Sequence, residues 1–379
     1  MHRKSVYFLS LIVAMLMTLG VVMLFSTGAF ARDSHGDQYF FVKHQVFWMA
    51  ISLAICIVAS RIDYHVLQKW WWVVFSLAAV LLVLCYIRPI GMKINGSWRW
   101  VNLHFMNFQP SELGKLASVS FLAVWFSRHE AESHTFVKGF IAPMACVGIL
   151  VLLIVREVDL GSTTLICGTM FAMMFVAGSN LIYLGTVAVL GVGGILFIAI
   201  HMPERLGRLM AFLYPDKYPT EAYQTVQGLI AMGTGGINGL GLGMSRQKFS
   251  FLPFAHTDFI FPIIGEELGL WATLLVVLAF FLIAVCGMMI ALRARDRFGM
   301  LLGFGLVVIL VFQAAINIGV TTSLLPNKGL PLPFISYGGS NLLFCLLTIG
   351  ILINIYLQGL PDKPVKTEVR LRARTTPRL

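Results

Sequence analysis

The chain has 379 residues, of which 58% are hydrophobic and only 12% charged, about half the charged share of an ordinary soluble domain. With a mean hydropathy of +0.84, its apolar surface exceeds what one core could hide, so lipid must solvate most of it. This excludes a disordered chain, a secreted disulfide scaffold and, despite a net charge of +11, a soluble nucleic-acid binder.

Taking about 20 apolar residues per crossing, ten transmembrane helices are predicted, near 6–30, 44–60, 70–87, 112–127, 139–155, 160–177, 181–201, 262–292, 298–320 and 341–359. The expected fold is an all-α, polytopic membrane protein. The first run follows His2-Arg3-Lys4 and ends at Ala29-Phe30-Ala31, which looks like a signal-peptide cleavage site. Its apolar stretch is well beyond the roughly 7–15 residues of a signal peptide's core, so it is read as a retained helix.

Lysine and arginine in the loops set the orientation. With the N-terminus inside, fifteen fall in cytoplasmic segments and twelve outside, with Lys115 within a helix. The bias is strongest in the short loops, so both termini are predicted cytoplasmic. A long outer loop, about 202–258, then joins helices seven and eight. It mixes Tyr214-Pro215-Asp216, a glycine-rich run and several phenylalanines, which suggests a folded, membrane-hugging segment. Residues 1–360 read as one transmembrane domain and 361–379 as a basic cytoplasmic tail without fixed structure. All six cysteines lie in apolar runs and read as buried hydrophobes. No nucleotide-binding or dinucleotide fingerprint occurs.

The polar residues inside this apolar frame are the candidate site. Glu112 and Lys115 follow Gln109-Pro110-Ser111 at the start of the fourth helix. Three residues apart, they share a face, and a buried ammonium needs a partner or a wet cavity. Asp159 stands where the sixth helix begins, an N-cap position. Arg205 and Arg208 could share a face near the membrane surface. Asp258, preceded by His256 and Thr257, lies where the long loop re-enters the bilayer, and either Thr257 or Asp258 could cap the eighth helix. Glu266 and Glu267 lie about two turns deeper, where at least one needs a partner. The last outer loop, Leu325 to Ser340, carries three prolines, three glycines and Lys328. Such a non-helical insert is tolerable at membrane depth only if buried in protein or lining an aqueous cavity.

These residues resemble the SEDS family (FtsW/RodA type) of bacterial cell-wall synthesis. The matching motifs are Asn95-Gly96-Ser97-Trp98-Arg99-Trp100; Gln109-Pro110-Ser111-Glu112 with Lys115; Asp159-Leu160-Gly161-Ser162; and Tyr223-Gln224 with Gln227. They continue with Gly241-Leu242-Gly243, Ser245 and Gln247-Lys248; His256 to Phe261 with Gly265 to Gly269; and Pro326 to Ser340. They span about 90–343 in the family's order, and the 241–248 and 255–258 segments are closer to the division member than to the elongation member. The chain departs from the pattern at Phe254, where Glu is usual; at Pro262, where Ala is usual; and at Glu157-Val158, where Gln-Pro is usual. Pro262 is expected to delay or kink the eighth helix.

The resemblance implies a peptidoglycan glycosyltransferase at the bacterial cytoplasmic membrane, at the division septum, that polymerises lipid II on the outer face. It implies a class B penicillin-binding protein and other divisome proteins as partners. Asp258 is then the expected general base, and undecaprenyl pyrophosphate the leaving group. Arg99, Glu112, Lys115, Arg205, Arg208, Lys328 and Ser336 are expected around the substrate and its pyrophosphate. Asp159, His256, Thr257, Glu266, Glu267, Gly338 and Gly339 are expected to support the site. A divalent cation, Mg or Mn, fits that chemistry, no organic cofactor is needed, and no metal ligands are assigned. The alternatives are a lipid II flippase or transporter, and a non-catalytic scaffold for a penicillin-binding protein.

Overall fold

A computed structural model describes residues 2–28, 37, 39–87, 90–94, 97–102, 107–201, 203–248 and 251–360. The chain is mainly helical, with helices α1 (His2–Gly28), α2 (Phe40–Arg61), α3 (His65–Leu84), α4 (Pro110–Arg128), α5 (Ala142–Arg156), α6 (Leu160–Ala177) and α7 (Leu181–His201). They are followed by α8 (Pro203–Leu213), α9 (Pro219–Gly235), α10 (Ile260–Ala291), α11 (Arg297–Thr321) and α12 (Gly339–Gln358). Among the described residues, eight helices are long and apolar enough to cross a membrane. It is a multi-pass membrane protein; a helix lies over each of the ten apolar runs, but α4 and α7 are not among those eight.

Helix α4 is the axis of the bundle. Buried along nearly its whole length, it packs against α3, α5, α6, α11 and α12. A helix buried all round has no polar face to give to water, yet this one carries Ser111, Glu112, Lys115, Ser118 and Ser120 in its buried set. Around it, α2 lies along α12, and α10 is flanked by α1, α9 and α11. The α2–α12 approach depends on Gly339, where an added Cβ would sit 2.3 Å from the Trp48 ring.

Local sequence explains several boundaries. Pro110 opens α4 in its first turn, where no amide donor is needed. Asp159 caps α6 by accepting from the Ser162 amide at 3.0 Å, and α6 ends on Gly178 in the left-handed conformation. Neither Thr257 nor Asp258 caps α10, whose N-cap is Phe259 without a side-chain bond.

Two further expectations need correction. The fold is not purely α: β1 (Gly91–Ile94), β2 (Ser97–Asn102) and β3 (Asn107–Phe108) form an antiparallel sheet, order β1-β2-β3, between α3 and α4. Pro262 neither delays nor kinks α10, because the helix starts at Ile260 and places the proline in its first turn. The break falls instead at Gly269, whose φ of +80° interrupts the helix. The long loop is folded as expected, with α8 and α9 inside it. The tail at 361–379 lies outside the described residues.

Candidate functional site

The site is built where the chain is least helical. The segment from Thr322 to Gly338, between α11 and α12, has no regular structure, so its backbone groups need partners that side chains supply. Gln313 donates from Nε2 to the Pro331 carbonyl at 2.9 Å and to Asn341 Oδ1 at 2.7 Å. Asn317 donates from Nδ2 to the Leu330 carbonyl at 2.6 Å and to the Asp258 carbonyl at 2.8 Å. Gln45 on α2 donates to the Ser336 carbonyl at 3.3 Å and accepts from the Gly338 amide at 3.4 Å.

Those bonds bring the segment beside the turn that carries Asp258. Ser336 is buried; its hydroxyl donates to the Thr257 carbonyl at 2.6 Å and accepts from the Leu332 amide at 2.8 Å. The Tyr337 amide donates to the His256 carbonyl at 3.0 Å. The His256 ring lies tilted against Phe41 with centroids 4.4 Å apart, and Phe41 meets Tyr337 edge-on at 4.9 Å. Asp258 is thus gripped from both sides through its neighbours' main chain. Its carboxylate abuts Gly329, where an added Cβ would lie 2.6 Å from Oδ2.

Asp258 is partly buried. Burial pushes its carboxyl up to about 6, Asp159 adds to that rise, and the Arg99 guanidinium opposes it. Arg99, on β2, donates to Ser97 Oγ at 2.9 Å and makes no ion pair among the described residues; its Nε is buried without an acceptor. Lys328 donates to Thr164 Oγ1 at 2.9 Å on α6, and burial lowers its pKa. Asn327 bonds Gln224 on α9 at 3.0 Å, so α6, α9 and the 322–338 segment meet here. Arg208 lines a cavity of about 60 Å³ with Glu221 and Asn327. The side chain of Arg205 lies outside what the structure describes.

Two expected site groups lie deeper. Lys115 donates to Glu112 at 2.8 Å and to Gln313 Oε1 at 2.8 Å, all three buried. The pair borders a cavity of about 30 Å³ lined also by Leu310, Phe344 and Thr348. Since Gln313 also holds Pro331, a polar chain runs from α4 to the 322–338 segment. Asp159, besides capping α6, accepts from Ser162 Oγ at 2.8 Å, Ser111 Oγ at 3.3 Å and Gln109 Nε2 at 3.2 Å.

Glu266 and Glu267 brace a different loop. Because α10 opens at Gly269, their main-chain carbonyls accept from the Leu240 and Gly241 amides, each at 2.9 Å. Their carboxylates gather the rest of that loop. Glu266 accepts from the Arg246 amide at 2.9 Å and from the Ser245 hydroxyl. Glu267 accepts from the Gly243 amide at 3.1 Å, from Ser26 Oγ at 2.6 Å and from Lys248 Nζ at 3.0 Å.

Among the described residues no three His, Cys, Asp or Glu side chains converge as a metal would require. No step is therefore routed through a divalent cation. Sequence reasoning missed Asn317, Gln313 and Gln45, single amides in apolar runs. An uncompensated amide in a predicted span is itself the available signal, since it must find a partner.

Comparison with known proteins covers almost the whole chain. The FtsW/RodA/SpoVE cell cycle protein family matches residues 7–359. A probable peptidoglycan glycosyltransferase FtsW of Geobacter metallireducens is 38% identical over 89% of this chain and 90% of that protein. Stage V sporulation protein E of Bacillus subtilis is 36% identical over 92% and 95%. In fold, the chain resembles a protein from a peptidoglycan synthase complex that coordinates polymerization and crosslinking, with a TM-score of 0.77, 24% identity and coverage of 94% and 98%. It also resembles the rod shape determining protein RodA of Thermus thermophilus, with a TM-score of 0.68, 23% identity and coverage of 94% and 98%.

Proposed function

Since the chain belongs to the FtsW/RodA/SpoVE family of cell cycle proteins, we propose that it is a peptidoglycan glycosyltransferase of the division type, polymerising lipid II at the outer face of the bacterial cytoplasmic membrane. In this reading ten helices cross the membrane, both termini are cytoplasmic, and β1–β3, α8, α9 and the 322–338 segment lie on the outer side. The observation that supports it most is the setting of Asp258. Its carboxyl is held at about 6, between loops that its neighbours' main chain ties together, in the field of a guanidinium with no carboxylate partner among the described residues.

A sugar hydroxyl is a poor nucleophile, and a base near its own pKa removes the proton most effectively as the hydroxyl attacks. Asp258 takes that proton. The acceptor oxygen bonds to the donor's anomeric carbon, and the bond from that carbon to undecaprenyl pyrophosphate breaks. The leaving group departs as a diphosphate, so no second carboxylic acid is needed, unlike in a glycosidase. What it needs is positive charge, which Arg99 and Lys328 supply from β2 and the 322–338 segment. Glu112, Lys115 and Ser336 act behind the surface, holding that segment in register.

By the same resemblance, the chain works with a class B penicillin-binding protein at the septum, beside other divisome proteins. The test is polymerisation of labelled lipid II by the purified complex in detergent, with products resolved on a gel. Glycan strands are expected from the wild type and none from Asp258→Asn, with the partner still bound. Unchanged polymer from that variant would remove Asp258 from its role.

A further inference from the structure

Asn317, near the end of α11, is 2% exposed, and its one side-chain nitrogen donates both to the Asp258 carbonyl at 2.8 Å and to the Leu330 carbonyl at 2.6 Å. Chemistry fixes this orientation, since a turned amide would set Oδ1 against two carbonyl oxygens. Oδ1 itself is buried and accepts nothing among the described residues. An unpaired buried acceptor costs stability that an apolar side chain would not lose. Core packing therefore does not account for the amide; the two carbonyls that it holds do.

Those carbonyls meet at the Asp258 carboxylate. Leu330 follows Gly329, where an added Cβ would lie 2.6 Å from Asp258 Oδ2. Gln313, one turn before Asn317 on the same face of α11, donates to the next carbonyl, that of Pro331, at 2.9 Å. One nitrogen thus joins the main chain of Asp258 to the segment against which its carboxylate packs.

The Asp258 carbonyl needs a side-chain donor for a reason written in the sequence. In a helical turn it would accept from the amide four residues on, and that residue is Pro262, which has none. Among the described residues no main-chain amide donates to it. By contrast, the Asp159 carbonyl at the start of α6 accepts from the Thr163 amide, four residues on, at 3.1 Å.

We infer that Asn317 is a positioning residue for Asp258: its side-chain nitrogen stands in for the amide that Pro262 lacks and, by holding Leu330 as well, fixes the carboxylate against Gly329. This rests on the polymerase reading. A catalytic group displaced by about 1 Å can lose on the order of a hundredfold in rate, whereas substrate contacts made elsewhere, by Arg99 among them, stay in place. Turnover falls, and KM does not.

Asn317→Leu has a similar shape without a donor, and it is assayed for lipid II polymerisation in the purified complex. The kcat is expected to fall about thirtyfold, with KM within about twofold of wild type. Pro262→Ala gives the Asp258 carbonyl a main-chain donor. Alone it should stay within about twofold of wild type, and added to Asn317→Leu it should restore about tenfold in kcat. A merely structural role for Asn317 gives no such recovery, because an alanine at 262 does not refill the Asn317 position. Amide hydrogen exchange supplies a reading independent of turnover: Asn317→Leu should speed exchange in both 254–260 and 326–336, and Pro262→Ala should slow only the first again. An unchanged kcat in Asn317→Leu overturns the inference, as does a double variant as slow as the single one. Should Asn317→Leu fail to fold, Asn317→Ser, whose one short hydroxyl cannot hold both carbonyls, enters the same cycle. No polymer from the wild-type complex, with this exchange pattern intact, would overturn the polymerase reading and leave Asn317 as the clamp on the Asp258 turn.

Discussion

Replacing Lys115 by methionine tests whether the interior pair is structural or a substrate contact. Lys115 and Glu112 bond at 2.8 Å with side chains almost fully buried, so the substitution leaves a carboxylate without its counter-ion. Breaking a buried pair by removing one partner costs about 3–5 kcal/mol. Gln313 Oε1 loses its donor as well, an unsatisfied acceptor worth about 1–3 kcal/mol. The two losses share one ammonium, so a total of about 4 kcal/mol is the expected destabilisation. Unfolding of the detergent-solubilised protein by graded addition of a denaturing detergent measures it. Combining Lys115→Met with Glu112→Gln removes both charges and should recover half or more of the loss, a coupling of about 2 kcal/mol. A single variant within about 1 kcal/mol of wild type would refute the buried-pair argument, as would a double variant no better than the single. If the pair served substrate directly, the double variant would be stable and inactive; the chain of bonds through Gln313 to Pro331 predicts that activity returns in step with stability.

Three further outcomes follow from the geometry. Polymerisation should rise with pH through about 6, because Asp258 must be deprotonated to accept a proton and its pKa is raised to that value; a rate flat from about pH 5 to about pH 7 would contradict it. Gly329→Ala should cut the rate by tenfold or more, on the order of 1.4 kcal/mol of barrier, with little change in stability, since its Cβ would press on Asp258 Oδ2 at 2.6 Å. Glu267→Ala removes the acceptor for Lys248, Ser26 and Gly243; faster proteolytic cleavage within 241–248 is expected, along with a stability loss of about 3 kcal/mol.

How much of this was legible in the sequence depends on which physical constraint acted. Helices written by continuous apolar runs were found where expected, because in lipid a helix is the only open-ended solution for the backbone. Asp159 could be read as a cap, since capping is local chemistry within three residues. The sheet was not read, although Asn95-Gly96 between Lys93-Ile94 and Ser97-Trp98 is a strong hairpin dipeptide; apolar density dominated the reading and short alternating strands were lost in it. The anchoring of the 322–338 segment was beyond the sequence for another reason. Gln45 and Ser336, or Asn317 and Asp258, are paired by tertiary folding across 291 and 59 residues, and no local pattern announces such pairs.

The departures from the family pattern weigh on the scaffold reading, and their placement weakens it. Phe254 adopts a φ of +57°, and its carbonyl accepts from the Thr257 amide at 3.0 Å and from Thr257 Oγ1 at 3.2 Å. It therefore shapes the turn ahead of Asp258 through its main chain, which any side chain leaves in place. Pro262 falls in the first turn of α10, where a missing amide costs no helical bond. Both are accommodated by the backbone around Asp258, and neither place in the fold gives a physical reason for lost chemistry. The carrier reading draws on the interior charges, which in a transporter would line a path and change partners. Here Glu112 and Lys115 are bonded to each other and to Gln313, and the Glu267–Lys248 pair is closed around Ser26. Charges that are mutually satisfied inside packed helices stabilise one arrangement of the bundle, which is what a fixed catalytic surface on the outer side requires.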